Sequence, residues 1–470
     1  MSSKLLADQV LEEIEKSNFP PGPPREYVPE GVLDKLITRN SLCQEFSENS
    51  ALGREHHVDE DLLNFILGSA KKVLAISLLA GVESKELHDA MKEFKSSLFQ
   101  DNWLPIYSTD EKKLPWSNLS WSSVKRKHFL DNQWKFLAPI FRKNQLMYEF
   151  ESLQVFPSKF TTDTKQKIGG FGAVYEVTIH ESHLEEPIRK FDETRANVAI
   201  KSIKASEGQL DNGDDQAWER EATALQETAD LKHPHLIECK AIIDWKGTGK
   251  YFMFQWADGG NLRDFYNSEQ RPELNASFVK QIVIQLVGLA DALNKMHNYK
   301  RHNRDAGSYR HGDVKPENIL IFKNRTKTGF WRIADMGLAK HHFDATGLRG
   351  PTATRNGTPL YEPPEVILKS DQARSRQYDI WSMGCVILEL IVWLLYGTEE
   401  LEKFNNCLHD SFRNKSPYWA VKANDAKDAQ VHPHVQTCMK NIKKHPECTG
   451  STAIGDLLEI MTTMLTGISQ

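Results

Sequence analysis

The residues best suited to do chemistry in this 470-residue chain lie in two short segments. The first reads His311-Gly312-Asp313-Val314-Lys315-Pro316-Glu317-Asn318-Ile319-Leu320, and the second Ala334-Asp335-Met336-Gly337-Leu338-Ala339. Phosphoryl transfer needs a carboxylate to position the attacking hydroxyl and accept its proton. It also needs oxygen ligands for Mg²⁺ and a cation to neutralise the moving phosphoryl group. Asp313 suits the first role, Asn318 and Asp335 the second, and Lys315 the third. Either aspartate alone would be an ordinary loop carboxylate, but the set together reads as a catalytic site.

These segments resemble the catalytic loop and the metal-binding triplet of the eukaryotic protein-kinase family. Further motifs follow in that family's order. Val198-Ala199-Ile200-Lys201 resembles the strand whose lysine holds the α/β-phosphates, and Glu221 looks like its ion-pair partner. Tyr251–Leu262 is similar to the last strand of the small lobe and the hinge, with Phe254 as gatekeeper. Gly357-Thr358-Pro359-Leu360-Tyr361 resembles the end of the activation segment, and Asp379 the residue that braces the catalytic loop. Several segments are worded most like kinases of filamentous fungi.

The resemblance implies an α+β, two-lobed fold and a Ser/Thr protein kinase that uses ATP and Mg²⁺. Lys315 two residues past Asp313, and the Gly357-Thr358 pair, are the Ser/Thr pattern. ATP is expected against Val174, Ala199 and Leu320, its phosphates held by Lys201 and the Gly169–Gly172 loop. The partners implied are ATP and a protein substrate. The alternative is a kinase-fold scaffold that binds protein partners with little or no turnover.

Three departures bear on that choice. The phosphate loop, Lys167-Ile168-Gly169-Gly170-Phe171-Gly172, is either missing its first glycine or two residues short of the family's G-x-G-x-x-G. Gly312 replaces an arginine that in the family pairs with a phosphorylated activation segment. Activity is therefore expected not to depend on phosphorylation of Thr346, Thr352 or Thr354. The chain stops soon after Met461, and the large lobe is expected to be truncated, leaving Glu365 without the family's arginine partner.

The elements that must position these residues fall into two textures. Residues 1–150 read as a helical module of unknown role, a candidate for binding a protein partner. Leu5, Leu6, Val10, Leu11 and Ile14 fall at the spacing of one helix face, as do Leu62, Leu63, Phe65, Ile66, Val73 and Leu74. Aromatic residues from Trp103 to Phe141 suggest a packed segment. Residues 157–470 read as the kinase domain, with a small lobe over 157–256 and a large lobe over 257–470. Strands are expected over Ala173–Ile179, Asn197–Ile203 and Tyr251–Trp256, and helices over Asp215–Thr228, Phe278–His297 and Tyr378–Leu395.

Composition limits the alternatives. Lys+Arg 59 against Asp+Glu 64 gives a net charge of −5, too balanced to imply a nucleic-acid or membrane partner. Six scattered cysteines without a CxxC pair suit a reducing compartment, so cytoplasm or nucleus is expected. No apolar run is expected to reach the roughly 20 residues of a membrane span, and Glu389 interrupts the longest. His432, His434, Cys438, His445 and Cys448 do not match the spacing of a closed zinc site.

Overall fold

The computed structural model describes residues 5–47, 59–82, 84–107, 118–161, 166–169, 172–185, 197–203, 212–268, 271–299, 307–335, 340–343, 359–368, 375–408, 417–422 and 425–467. Met336, Thr346, Thr352, Thr354, Gly357, Thr358, Gly170 and Phe171 lie outside them. The chain divides into two compact units, Met1–Lys204 with Lys240–Phe254, and Ala205–Cys239 with Gln255–Gln470.

The first unit begins with α1 (Leu6–Glu12) and the antiparallel pair β1 (Glu15–Ser17) and β2 (Arg25–Tyr27). Helices α2 (Val32–Leu36), α3 (Arg39–Ser47), α4 (Glu60–Ser69), α5 (Lys71–Leu79), α6 (Ser84–Ser96) and α7 (Ser123–Asn132) follow. Leu6 and Val10 are buried as the helix spacing requires, whereas Leu5 and Leu11 are exposed, so the apolar stripe of α1 is narrower than expected. Helix α5 is buried from Val73 to Leu78 and forms the centre of the helical core, packed by Leu62, Ile66, Phe94 and Phe129. The Asp101 carboxylate caps its first turn, accepting the N–H groups of Lys72 and Val73 at 3.1 and 2.9 Å.

A six-stranded sheet completes this unit, in the order β3-β7-β8-β6-β5-β4. Its strands are β3 (Met147–Phe150), β4 (Gln166–Gly169), β5 (Gly172–Thr178), β6 (Asn197–Ile203), β7 (Cys239–Trp245) and β8 (Gly249–Gln255). The sequence pattern marked β5, β6 and β8 within a residue or two but not β4, β7 or β3, the last of which adds to the edge by pairing parallel with β7.

One face of the sheet is built partly from the N-terminal segment. Phe19 packs edge-on against Phe156, Tyr175 and Tyr251, with ring centroids 5.0, 5.6 and 5.6 Å away. Around it Ser17 and Ser158 share a buried hydrogen bond of 2.7 Å, and the Tyr27 hydroxyl donates to the Ser158 carbonyl at 3.2 Å. His183 ties a further pair of strands of chain together. Its Nδ1–H donates to the Pro139 carbonyl at 2.9 Å, and its Nε2 accepts the Glu30 N–H at 3.1 Å. Trp121, Phe136 and Phe141 are buried, in line with the packing suggested by the aromatic run, although Trp103 is exposed.

The second unit contains α8 (Asn212–Glu227), α9 (Leu262–Tyr266), α10 (Ala276–His297), α11 (Glu365–Leu368), α12 (Gln377–Tyr396), α13 (Thr398–Cys407), α14 (Pro433–Ile442) and α15 (Ala453–Thr466). Three antiparallel pairs accompany them: β9 (Gly307–Arg310) with β12 (Lys340–Phe343), β10 (Ile319–Phe322) with β11 (Phe330–Ile333), and β13 (Trp419–Lys422) with β14 (Asp425–Val431). Contrary to the sequence expectation, α10 and α12 are both long and apolar enough to cross a membrane by length and composition. In α12, 89% of that apolar stretch is buried inside the protein, which is the signature of a helix apolar all round because the core surrounds it.

Two outcomes test the first unit. Phe19→Ala removes a fully packed ring and should lower stability by about 3–5 kcal/mol in urea unfolding; a loss below ~1 kcal/mol would contradict the packing described. Burial lowers the pKa of His183 from the usual 6.5 to about 4, so folding favours its neutral form. The stability it contributes is full above pH 6.5 and is lost as pH falls toward 4. His183→Gln should therefore unfold less steeply than wild type between those pH values; identical acid profiles would rule this out.

Candidate active site

Strand β9 delivers the chain to His311-Gly312-Asp313, and a buried carboxylate sets the conformation there. Asp379, in the first turn of α12, accepts the N–H groups of His311 and Gly312 at 2.8 Å each, and His297 Nε2–H at 2.8 Å. Turning two successive N–H groups onto one acceptor requires a left-handed residue, and Gly312 supplies it at φ +81°. An arginine at this position would carry backbone strain in this conformation. Burial works to raise the Asp379 pKa, but the hydrogen bond from His297, the neighbouring His311 and the Gly312 N–H together hold it below the usual value.

Asp313 is 5% exposed and receives two donors. Lys315 Nζ lies 2.6 Å from its Oδ2, and Asn318 Nδ2 donates to the same oxygen at 3.0 Å and to the Asp313 carbonyl at 2.8 Å. His311 joins this loop to the second segment. Its Nδ1 accepts the Asp313 N–H at 3.3 Å and its Nε2–H donates to the Ala334 carbonyl at 3.0 Å. The Ala334 N–H in turn donates to the Asn318 carbonyl at 2.9 Å. Asp335 follows directly at φ +72°, a strained value for a non-glycine residue. The structure thus brings Asp313, Lys315 and Asn318 into direct contact, with Asp335 one residue beyond the link. Leu320, half-buried on β10, pairs with Arg332 across β11.

Glu221 is buried in α8, and the segment leaving that helix is zipped onto β11. The Ile333 N–H donates to the His235 carbonyl and the Ile237 N–H to the Ile333 carbonyl, both at 2.9 Å. His235 Nδ1–H donates to the Trp331 carbonyl at 2.7 Å. The imidazole sits over Gly288 of α10 so closely that a Cβ there would come within 2.1 Å of Nε2.

Beneath the loop lies a second buried charge. Glu389 of α12 accepts hydrogen bonds from the Tyr361 and Tyr418 hydroxyls at 2.8 and 3.0 Å and lies 2.9 Å from Arg263. Arg263 also reaches Glu317 at 3.0 Å and donates to the Tyr361 hydroxyl at 2.6 Å. Burial acts to lower the Arg263 pKa, but the Glu389 carboxylate, with Tyr361 and Glu317, raises it above the ordinary value; burial raises Glu389 in spite of Arg263.

The remaining residues of the expected site lie in the first unit. Val174 pairs with Lys201, and Glu176 with Ala199, across β5 and β6. Directly paired residues point to the same side of a sheet, and so do residues two apart. Val174, Ala199 and Lys201 therefore share one face, while Tyr175 and Ile200 share the other, where Phe19 packs. Gly169 at the end of β4 pairs directly with Gly172 at the start of β5, a register that both readings of the glycine loop share.

Sequence reasoning had identified Asp379 but not His297, Arg263, Tyr418 or the linking role of His311. Glu389 was visible only as a charge interrupting an apolar helix. That was the usable signal, since a carboxylate buried in such a helix needs a partner.

Residues 168–461 match the family model for the protein kinase domain. The chain is similar to the serine/threonine-protein kinase DCLK3 of Mus musculus, 27% identical over 276 residues that cover 56% of this chain and 31% of that protein. It is also similar to calcium/calmodulin-dependent protein kinase type 1 of Caenorhabditis briggsae, 26% identical over 270 residues, or 56% of this chain and 68% of that one. The serine/threonine-protein kinase CHK1 of Saccharomyces cerevisiae is 28% identical over 226 residues, 46% of this chain and 39% of its own length. The chain spans about a third of the DCLK3 kinases of Mus musculus and Homo sapiens, 31% and 38% of their lengths.

Asp379→Asn would replace one acceptor oxygen with an NH₂ that faces another donor. Breaking this buried charged network should cost about 3–5 kcal/mol of stability, read as a lowered urea midpoint. A midpoint equal to wild type would show that the carboxylate does not organise the loop.

Proposed function

Since the chain belongs to the protein kinase family, we propose that it transfers the γ-phosphoryl of Mg-ATP to a Ser or Thr hydroxyl of a protein substrate. The observation that carries this reading is the hydrogen-bonded set of Asp313, Lys315 and Asn318, held one residue from Asp335 through His311 and Ala334. The similarity to serine/threonine-protein kinases supports the acceptor class.

In this reading Asp313 orients the acceptor hydroxyl and takes its proton as the hydroxyl oxygen bonds to the γ-phosphorus. The bond from that phosphorus to the bridging oxygen breaks, and ADP leaves. Lys315 neutralises charge on the phosphoryl group in transit. Lys201 holds the α/β-phosphates, with Glu221 as its orienting carboxylate, and Gly169 and Gly172 flank the hairpin that covers them. Val174, Ala199 and Leu320 supply apolar surface for the adenine.

The donors available suit Mg²⁺, a hard cation that takes oxygen ligands. Asn318 commits its Nδ2 to Asp313, which leaves the amide oxygen as its ligating atom, and Asp335 offers a carboxylate. When bound, Mg²⁺ supplies charge neutralisation on the phosphate oxygens.

The second reading, a scaffold with little turnover, draws support from the departure of Lys167–Gly172 from the family's G-x-G-x-x-G, since that loop supplies the backbone N–H groups for the phosphates. The two readings part in a phosphotransfer assay with labelled Mg-ATP and a generic Ser/Thr acceptor. The kinase reading expects incorporation by the parent protein. It expects a fall of at least about a hundredfold in Asp313→Asn, the lower range for loss of a general base, with ATP binding retained. A folded parent that transfers nothing would favour the scaffold.

A further inference from the structure

The hairpin β13–β14 is absent from the motifs that mark the kinase resemblance, yet its first residues reach the heart of the second unit. Tyr418 and Trp419 are both buried. The Trp419 Nε1–H donates to the Glu362 carbonyl at 2.9 Å. The Tyr418 ring stacks on Tyr361 with centroids 6.1 Å apart and planes 28° from parallel, and its hydroxyl donates to the same Glu389 oxygen that Tyr361 uses. Phe404 of α13 closes on Tyr418 from another side at 5.8 Å. The hairpin itself is anchored at its base by the His432 N–H, which donates to the Tyr418 carbonyl at 2.8 Å.

The segment that it grips, Pro359 to Pro364, has two other ties. Ser382 Oγ–H donates to the Tyr361 carbonyl at 2.9 Å, and the Tyr361 hydroxyl is engaged by Arg263. Arg263 also pairs with Glu317, two residues past Lys315. One side chain therefore separates this segment from the loop that carries Asp313. Glu317 and Pro359 are exposed, so the Asp313 loop and this segment, joined through Arg263, both present a side chain to solvent. The carbonyl of Glu362 lies in non-helical backbone and needs a donor when buried; the indole N–H provides one from outside the segment.

We propose that Tyr418 and Trp419 are positioning residues that latch the 359–364 segment as a platform for the protein acceptor. The proposal rests on the kinase reading above and deepens it: the latch governs engagement of the acceptor and leaves the nucleotide untouched. Trp419 makes its polar contact with backbone, so the platform is held in place whatever side chains an acceptor presents.

Trp419→Phe keeps an aromatic ring and removes only the N–H donor, which isolates the latch from the packing. The expected result is a KM for a Ser/Thr peptide raised about fivefold, the equivalent of one hydrogen bond worth ~1 kcal/mol, with the KM for ATP unchanged. Backbone amides of residues 359–366 should exchange with solvent faster than in wild type, while those of α12 do not. A rise in both KM values together, or an unchanged peptide KM in an active enzyme, would overturn the proposal. Should the wild-type protein show no phosphotransfer, the kinase reading fails by itself and amide exchange judges the latch: faster exchange at 359–366 supports it, and unchanged exchange overturns it.

Discussion

The second unit is organised around a carboxylate taken out of water. Asp379 begins α12, the helix that the core surrounds, and it spends its oxygens on two adjacent backbone N–H groups and one imidazole. Such a group is costly to bury unless every lone pair is used. The requirement works in both directions: the carboxylate needs the loop, and the two adjacent N–H groups of the loop find their acceptor in the carboxylate. Gly312 at φ +81° is the local consequence, and the fixed position of Asp313 is the functional one. From there the chain of contacts runs through His311 to Ala334, so the two segments of the candidate site are tied to one acceptor.

Glu389 repeats the device one layer down, three turns along the same helix. It gathers Tyr361, Tyr418 and Arg263, and through Arg263 it joins Glu317. The first unit solves a different problem. One face of the sheet needs a cover, and part of that cover is Phe19, brought from the N-terminal segment. Tyr175, which it touches, is the neighbour of Val174, so the N-terminal segment supports strand β5.

The parts of this arrangement visible in the sequence were those set by motifs of fixed identity and order: Asp313, Lys315, Asn318, Asp335, Lys201 and Asp379. Long helices were also legible, because apolar residues recur along Ala276–His297 and Gln377–Tyr396 and their ends fall within two residues of expectation. What could not be read were contacts between residues far apart in the chain. Phe19 is an unremarkable aromatic until Phe156 and Tyr251 surround it. Tyr418 and Trp419 follow a stretch with no helical or alternating pattern, so nothing local distinguished them from a loop. The strand β3 was missed because four residues pairing in parallel at an edge leave too short a period to detect.

The central claim, that Asp379 sets the geometry of the Asp313 loop, is tested most directly by a high-resolution crystal structure of Asp379→Asn. The account predicts that the Gly312 backbone leaves its left-handed conformation and that the bonds joining Asn318 and Lys315 to Asp313 are broken or lengthened. A variant in which Gly312, Asp313, Lys315 and Asn318 superimpose on the parent, with all their hydrogen bonds intact, would contradict it.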